Sequence, residues 1–158
     1  MKAAGSGNGR EKAQTAQNLI SGTGAVDAEV KRLCDLIRET GFALHRHLRS
    51  GHLEKVYENG LMHRLTKHGL HVSAQHPLKV YDEDGTVLGD YYADLFVENF
   101  LVVEIKACKS IAEEHVAQLL GYMRASGMEH GLLMNFGAAK FEVRKYILTR
   151  GDGAARVD

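Results

Sequence analysis

The middle of the chain places charged side chains inside apolar segments, where they could carry chemistry. Asp94 lies in one run of aromatic and aliphatic residues, and Glu104 and Lys106 lie in the next. Both runs, residues 91–97 and 100–106, are short and rich in branched and aromatic residues, so they predict two adjacent β-strands. Charged side chains in such strands are the first candidates for a functional site.

The connection between these strands predicts how the charged groups meet. A three-residue turn would pair Val97 with Leu101, and the same register pairs Asp94 with Glu104. Because side chains alternate across a strand, Lys106 shares a face with Glu104. We therefore expect two carboxylates and one ammonium on the same face of the sheet.

Such a cluster suits a divalent metal. Two facing carboxylates in a half-buried site repel each other, and one takes up a proton unless a cation separates them. Oxygen ligands suit Mg²⁺, with Mn²⁺ as a substitute, and both ions leave positions for water and a substrate phosphate. Lys106 could then orient an attacking water and stabilise charge on the phosphate. A cross-strand salt bridge from Lys106 to Asp94 or Glu104 is the alternative, and the hairpin alone favours neither interpretation.

Composition narrows the classes of protein. The chain has 158 residues, of which 44% are hydrophobic, and this fits one domain with a single core. Lys plus Arg and Asp plus Glu number 20 each, so the chain lacks the global positive field of strong non-specific DNA binders. Cys34 and Cys108 have no metal-site spacing, and no stretch approaches the roughly 20 apolar residues of a membrane span. We expect a cytoplasmic protein with reduced thiols that does not enter a membrane.

The distribution of residue types predicts three parts. Residues 1–24 are rich in Gly, Ala, Ser, Asn and Gln and are expected to form a flexible leader. Residues 25–150 carry the periodic apolar pattern of a single domain. Residues 151–158 are expected to form a polar tail.

Periodicity and turn signals predict an α/β (α+β) fold with a central mixed β-sheet flanked by helices. A first helix is predicted from Val26, and a second is expected to end at Gly69. Pro77 fits the start of a strand, and Ser110 with Glu113 resembles a capping box that opens a third helix. The predicted order of elements is α-α-β-β-β-β-α-β-β.

The third predicted helix presents polar groups on one face. Gln118 and Tyr122 are four residues apart and project from the same side, and His115 lies three residues before Gln118 on that side. His115 could contact a phosphate or carry a proton near neutral pH, and the alternative is an ordinary surface histidine.

These elements and motifs together resemble the PD-(D/E)XK nuclease superfamily and, more narrowly, the small bacterial family named after a GxxExxR motif. Gly51 and Glu54 match the opening motif of that family, and Tyr57 stands where its name has Arg. Four further stretches resemble the family in the same order along the chain: residues 91–95, 103–107, 115–122 and 131–137.

The resemblance implies a role for each matching residue. Glu54 would be the helical acid that supports the metal or its water. Asp94 and Glu104 would bind the metal, together with the main-chain carbonyl of Ile105, and Lys106 would be the catalytic lysine. Gln118 and Tyr122 would help to order the site or contact the nucleic acid.

The implied function is metal-dependent hydrolysis of phosphodiester bonds in nucleic acid, with DNA as the first expectation. Gln75 is a further candidate because it may face the same cleft from the first strand, and a structural role in that strand is the alternative. A homodimer or a partner protein could supply binding surface. The competing hypotheses are a catalytically inactive binding module on the same fold and, with weaker support, a zinc site built from His45, His47, His63, His68, His71 and His76.

Overall fold

The structure, a computed structural model, describes residues 8–149 and 155–157, with side chains from residue 24 onward. The described part divides between Leu36 and Ile37 into two compact units. The second unit contains the sheet, two complete helices and all the predicted site residues.

Helix α1 spans Asn8–Leu48 and continues from the first unit into the second. The predicted start at Val26 is therefore wrong, because the preceding segment lacks proline and contains strong helix formers such as Ala, Gln, Lys and Arg. Within the first unit, Lys31 and Asp35 form an ion pair across one helical turn, at 2.6 Å. Part of the expected flexible leader, residues 1–7, lies outside the described residues.

Helices α2 and α3 have ends that local chemistry explains. Helix α2 spans Glu54–Lys67, and Gly69 follows it in the left-handed conformation at φ 83°. Helix α3 spans Glu113–Ser126 and ends at Gly127, which is also left-handed. The capping box predicted at Ser110 is wrong, because His115 Nδ1 instead accepts the Ala112 N–H at 3.0 Å and the helix begins after Ala112.

The six strands form one mixed sheet in the order β1-β2-β3-β4-β5-β6, and the predicted fold class is confirmed. Strands β3 and β4 are parallel, because α3 connects them as a crossover, and all the other pairs are antiparallel. The strands are β1 Val72–Tyr81, β2 Val87–Val97, β3 Leu101–Lys106, β4 His130–Asn135, β5 Glu142–Leu148 and β6 Ala155–Val157.

The strand count before α3 differs from the prediction, since three strands rather than four precede it. Pro77 lies inside β1 instead of starting a strand. Proline is tolerated there because β1 is an edge strand with a neighbouring strand on only one side, so fewer backbone hydrogen bonds depend on its missing N–H. At the other edge, β6 contributes Ala155–Val157 from the segment expected to be a polar tail, while residues 150–154 and 158 lie outside the described residues.

Helix α3 packs on one face of the sheet through a buried apolar cluster. Leu119 and Met123 of α3 join Val102 and Leu133 in this core. Gly131 permits the close approach, since a Cβ there would lie 2.5 Å from Met123 Sδ. The packing places α3 across strands β1 to β4, where it also contacts β3, the strand that carries Glu104 and Lys106.

Candidate active site

The turn between β2 and β3 sets the register that brings the acids together. Val97 pairs with Leu101, as predicted, and the following pairs continue this register. Three residues separate this pair, and within the turn Glu98 and Asn99 both have positive φ, 52° and 60°, while the Phe100 N–H donates to the Val97 carbonyl at 3.2 Å. Continued by one more pair, the register places Asp94 opposite Glu104.

The predicted cluster of two acids and a lysine is present. Asp94 Oδ2 accepts the Ile105 N–H at 2.8 Å, which fixes the carboxylate against β3. Lys106 Nζ lies 3.5 Å from Glu104 Oε1. Glu104 is 2% exposed, and its Oε2 has no hydrogen-bond partner among the described residues. Burying a carboxyl oxygen without a hydrogen-bond partner costs free energy, so this atom indicates that Glu104 has a functional role.

Burial and charge shift the pKa values of both acids. Burial, followed by the charge of Asp94, raises the pKa of Glu104 to about 9, and the Lys106 ammonium only partly offsets this. Burial also raises the pKa of Asp94, against the lowering effect of the Ile105 N–H. Without a metal, the raised pKa favours a proton on Glu104 at neutral pH, through which its side chain can hydrogen-bond to Asp94, and a bound cation would take the place of that proton.

The donor set fits a hard divalent cation. A cation between Asp94 and Glu104 would remove their mutual repulsion and give Glu104 Oε2 a partner. Two carboxylates are the number of protein ligands that Mg²⁺ commonly uses. Within the described ranges, no group of three or more His, Cys, Asp and Glu side chains could hold a metal ion.

Helix α3 holds Lys106 in place through a chain of hydrogen bonds. Lys106 Nζ donates to Gln118 Oε1 at 2.7 Å, and Gln118 Nε2 donates to the Tyr122 hydroxyl at 2.8 Å. Burial, followed by the charge of Glu104, raises the pKa of the Tyr122 phenol. The structure thus brings Gln118 and Tyr122 into the cluster from the helix face that their spacing predicted.

Glu58 is an acid of this site that the sequence patterns did not predict. Its side chain is buried, with 4% of the residue exposed, and its Oε2 accepts a hydrogen bond from Gln75 Nε2 at 3.0 Å. Its other oxygen accepts from Lys55 at 2.7 Å. Glu58 lies between the buried residues Tyr57 and Leu61 in α2, and a glutamate at a buried helical position is the signal that could have identified it.

Gln75 connects Glu58 to the cluster. The same amide nitrogen also donates to Asp94 Oδ1 at 3.3 Å, so one side chain contacts acids from two other elements. The Gln75 backbone has φ 50°, and its neighbours Ala74 and His76 pair with β2 while Gln75 does not. A non-glycine residue in this region carries strain of about 1–3 kcal/mol, and such strain concentrates at functional sites.

Two predicted site residues lie farther from the acids. Glu54 is exposed, and its Oε1 accepts the Ala107 N–H at 3.4 Å, immediately beyond Lys106. His115 lies in the first turn of α3, where its Nδ1 is occupied by the Ala112 N–H. The predicted Asp94, Glu104, Lys106 and Gln118 are therefore in one cluster, whereas these two residues lie along its margin.

Comparison with known proteins gives the family. A family model described as the PD-(D/E)XK nuclease superfamily matches residues 31–146, which is more than half of the chain. The chain therefore belongs to that superfamily, whose members are generally nucleases that typically use divalent metals. Searches of curated proteins and of solved structures found no significant match. None of the helices in the described ranges has the length and apolar character that a membrane span requires.

Proposed function

We propose that this member of the superfamily is a metal-dependent nuclease that hydrolyses phosphodiester bonds in nucleic acid at the cluster of Asp94, Glu104 and Lys106. The observation that carries the proposal is the buried, unpartnered oxygen of Glu104 beside a second carboxylate. Such an arrangement destabilises a purely structural core, and a bound cation removes the penalty. Within the superfamily, the chain fits the GxxExxR family through Gly51 and Glu54.

Asp94, Glu104 and the main-chain carbonyl of Ile105 would hold Mg²⁺, with Mn²⁺ as a substitute. When bound, the metal would lower the pKa of a water and neutralise charge on the scissile phosphate. The chain's own contribution is to hold both carboxylates within a largely buried site before substrate arrives.

Lys106 orients the attacking water and stabilises negative charge that develops on the phosphate. Its hydrogen bond to Gln118 fixes the ammonium, so little reorganisation is needed during the reaction. Gln118 is in turn fixed by Tyr122. Gln118 therefore acts by positioning the lysine, and Tyr122, which is 9% exposed and lies at the end of this hydrogen-bond chain, is proposed to contact substrate through its hydroxyl group.

The remaining site residues divide between support and substrate contact. Glu58 is the better placed helical acid, since Gln75 links it to Asp94, whereas Glu54 lies beside the backbone that follows Lys106. Gln75 therefore links the two acids through its amide nitrogen, in addition to any contact with substrate. His115 is a further candidate for contact with a substrate phosphate, through the ring nitrogen that Ala112 does not occupy.

The proposal also includes the nature of the partner. DNA is the expected nucleic acid, and a cytoplasmic location is expected with it. The zero net charge supports the addition of binding surface by a second copy of the chain or by another protein. The same zero net charge also favours the competing function, a catalytically inactive nucleic-acid- or protein-binding module on this fold.

Calorimetric titration with Mg²⁺ and Mn²⁺ tests the proposal when it is combined with cleavage assays on single- and double-stranded DNA and RNA. We expect the wild type to bind metal and cleave at least one substrate, and Glu104→Ala to lose both properties. Glu83→Ala is the matched control, because Glu83 is an exposed turn residue and its loss should change neither. Metal binding that survives in Glu104→Ala would overturn the assignment, and a wild type that neither binds metal nor cleaves would favour the inactive module.

A further inference from the structure

A groove runs between α3 and the hairpin formed by β1 and β2. Its volume is about 450 Å³, within the range of small-molecule sites. Val80 and Tyr91 line it from the hairpin, and Gly121, Arg124 and Ala125 line it from α3. These residues give the groove an aromatic ring, a positively charged side chain and open space at Gly121.

Tyr91 connects this groove to the catalytic cluster. It is 45% exposed, and its ring lies 5.3 Å from the ring of Tyr122 between centroids. Tyr122 accepts the hydrogen bond of Gln118, whose carbonyl oxygen accepts from Lys106. Tyr91 in the groove therefore contacts Tyr122, which belongs to the hydrogen-bond chain that holds the proposed catalytic lysine.

The α3 side of the groove provides space and positive charge. A Cβ built on Gly121 would meet no atom within 4 Å, so the helix surface there is open. Arg124 lies one turn further along the helix and is exposed, and it forms no ion pair with the described residues. Lys79, which also lines the groove, is partly neutralised by Asp90 at 3.1 Å, so the available charge is mainly that of Arg124.

We propose that this groove binds an unpaired stretch of the nucleic-acid substrate next to the cleaved phosphate, with a base stacked on Tyr91 and a phosphate bound by Arg124. The inference rests on the proposed nuclease function and specifies its substrate class as single-stranded nucleic acid or a single-stranded end. Aromatic side chains beside a cation are the usual means of binding single strands.

The exposure of Tyr91 is what favours a single strand. In a duplex, both faces of a base are covered by its neighbours, so a tyrosine ring can stack only on a base that has left the helix. A duplex-binding surface would instead need several cations that follow the two backbones. The groove offers one available arginine and two exposed tyrosine rings, those of Tyr91 and Tyr81, which matches a short single-stranded segment.

The test measures binding in the presence of a chelator, so that it does not depend on cleavage. Fluorescence anisotropy would follow a labelled oligothymidylate of about 16 nucleotides, the upper end of common single-strand site sizes. Tyr91→Leu removes the ring, and Gly121→Leu adds a side chain to the groove at a position where a Cβ meets no atom within 4 Å. Tyr92→Leu is the matched control, because Tyr92 is an exposed tyrosine of the same strand that does not line the groove.

We expect Tyr91→Leu to weaken binding by roughly 5- to 150-fold, the loss of one stacked base. Gly121→Leu should weaken it comparably, while Tyr92→Leu should bind like the wild type. Wild-type binding that neither groove variant changes would overturn the proposal, as would equally tight binding of the same-length duplex or no binding of the single strand. Because each result is obtained without metal, it stands apart from the cleavage assay that tests the nuclease function itself.

Discussion

Replacing Glu104 with glutamine is expected to stabilise the metal-free protein at neutral pH. Burial and the charge of Asp94 raise the Glu104 pKa from 4.5 to about 9 in the folded state. Between those two values the folded protein holds a proton that the unfolded chain releases, so the free energy of unfolding falls as pH rises through this window. Glutamine keeps the shape of the side chain and does not titrate.

The size of the effect follows from the pKa shift. From 4.5 to neutral pH the gap is roughly 2.5 units at about 1.4 kcal/mol each, which gives about 3 kcal/mol. For a chain of this length, that corresponds to a rise of roughly 6–12 °C in the melting temperature. Below pH 4.5 both states hold the proton, and the difference between wild type and variant should disappear.

The assay is urea and thermal unfolding in the presence of a chelator, at neutral pH and at a pH below 4.5. Glu83→Gln, at an exposed turn position, is the control and should leave stability unchanged. Added Mg²⁺ should then stabilise the wild type and leave Glu104→Gln unaffected. A variant no more stable than the wild type at neutral pH, or a difference that does not depend on pH, would show that Glu104 does not have this raised pKa.

Two further substitutions test the supports of the site. Gly137→Ala should cost roughly 1–3 kcal/mol of stability in urea unfolding, because its Cβ would lie 2.3 Å from the backbone that follows β3. Gly89→Ala, where a Cβ meets no atom within 4 Å, is its control, and equal stability of the two variants would contradict the expectation. Gln75→Ala should destabilise the metal-free protein by about 1–3 kcal/mol and weaken Mg²⁺ binding, because it removes the amide between Glu58 and Asp94. Unchanged unfolding and calorimetry would show that this amide has no positioning role.

Local sequence determined the parts of the site that could be predicted. The short turn after Val97 fixes the pairing with Leu101, because the length of a hairpin loop sets the register of the two strands that it connects. Helical spacing likewise places Gln118 and Tyr122 on one face. In both cases the residues concerned are close in sequence, so backbone geometry alone relates them.

The parts that could not be predicted depend on contacts between distant elements. From the sequence, Glu58 is one of several charged residues in a helix. Its place in the site depends on Gln75, in a separate strand, which donates hydrogen bonds to both Glu58 and Asp94. The positive φ of Gln75 follows from no local signal, since glutamine has no preference for that region. The sequence predicts a strand start at Pro77, whereas only the sheet order shows that β1 is an edge strand, in which an internal proline is tolerated.

Lys106 is proposed to act in catalysis beside a metal-binding pair of acids. The most direct test is Mg²⁺-dependent cleavage by the wild type, Lys106→Met and Lys109→Met, with Lys109 as an exposed lysine three residues away. We predict that the wild type and Lys109→Met cleave nucleic acid equally, and that Lys106→Met binds Mg²⁺ but cleaves at least about 100-fold more slowly. Cleavage by Lys106→Met at the wild-type rate would overturn the catalytic role of Lys106. No cleavage by the wild type on any of the four nucleic-acid substrates would overturn the proposed nuclease function.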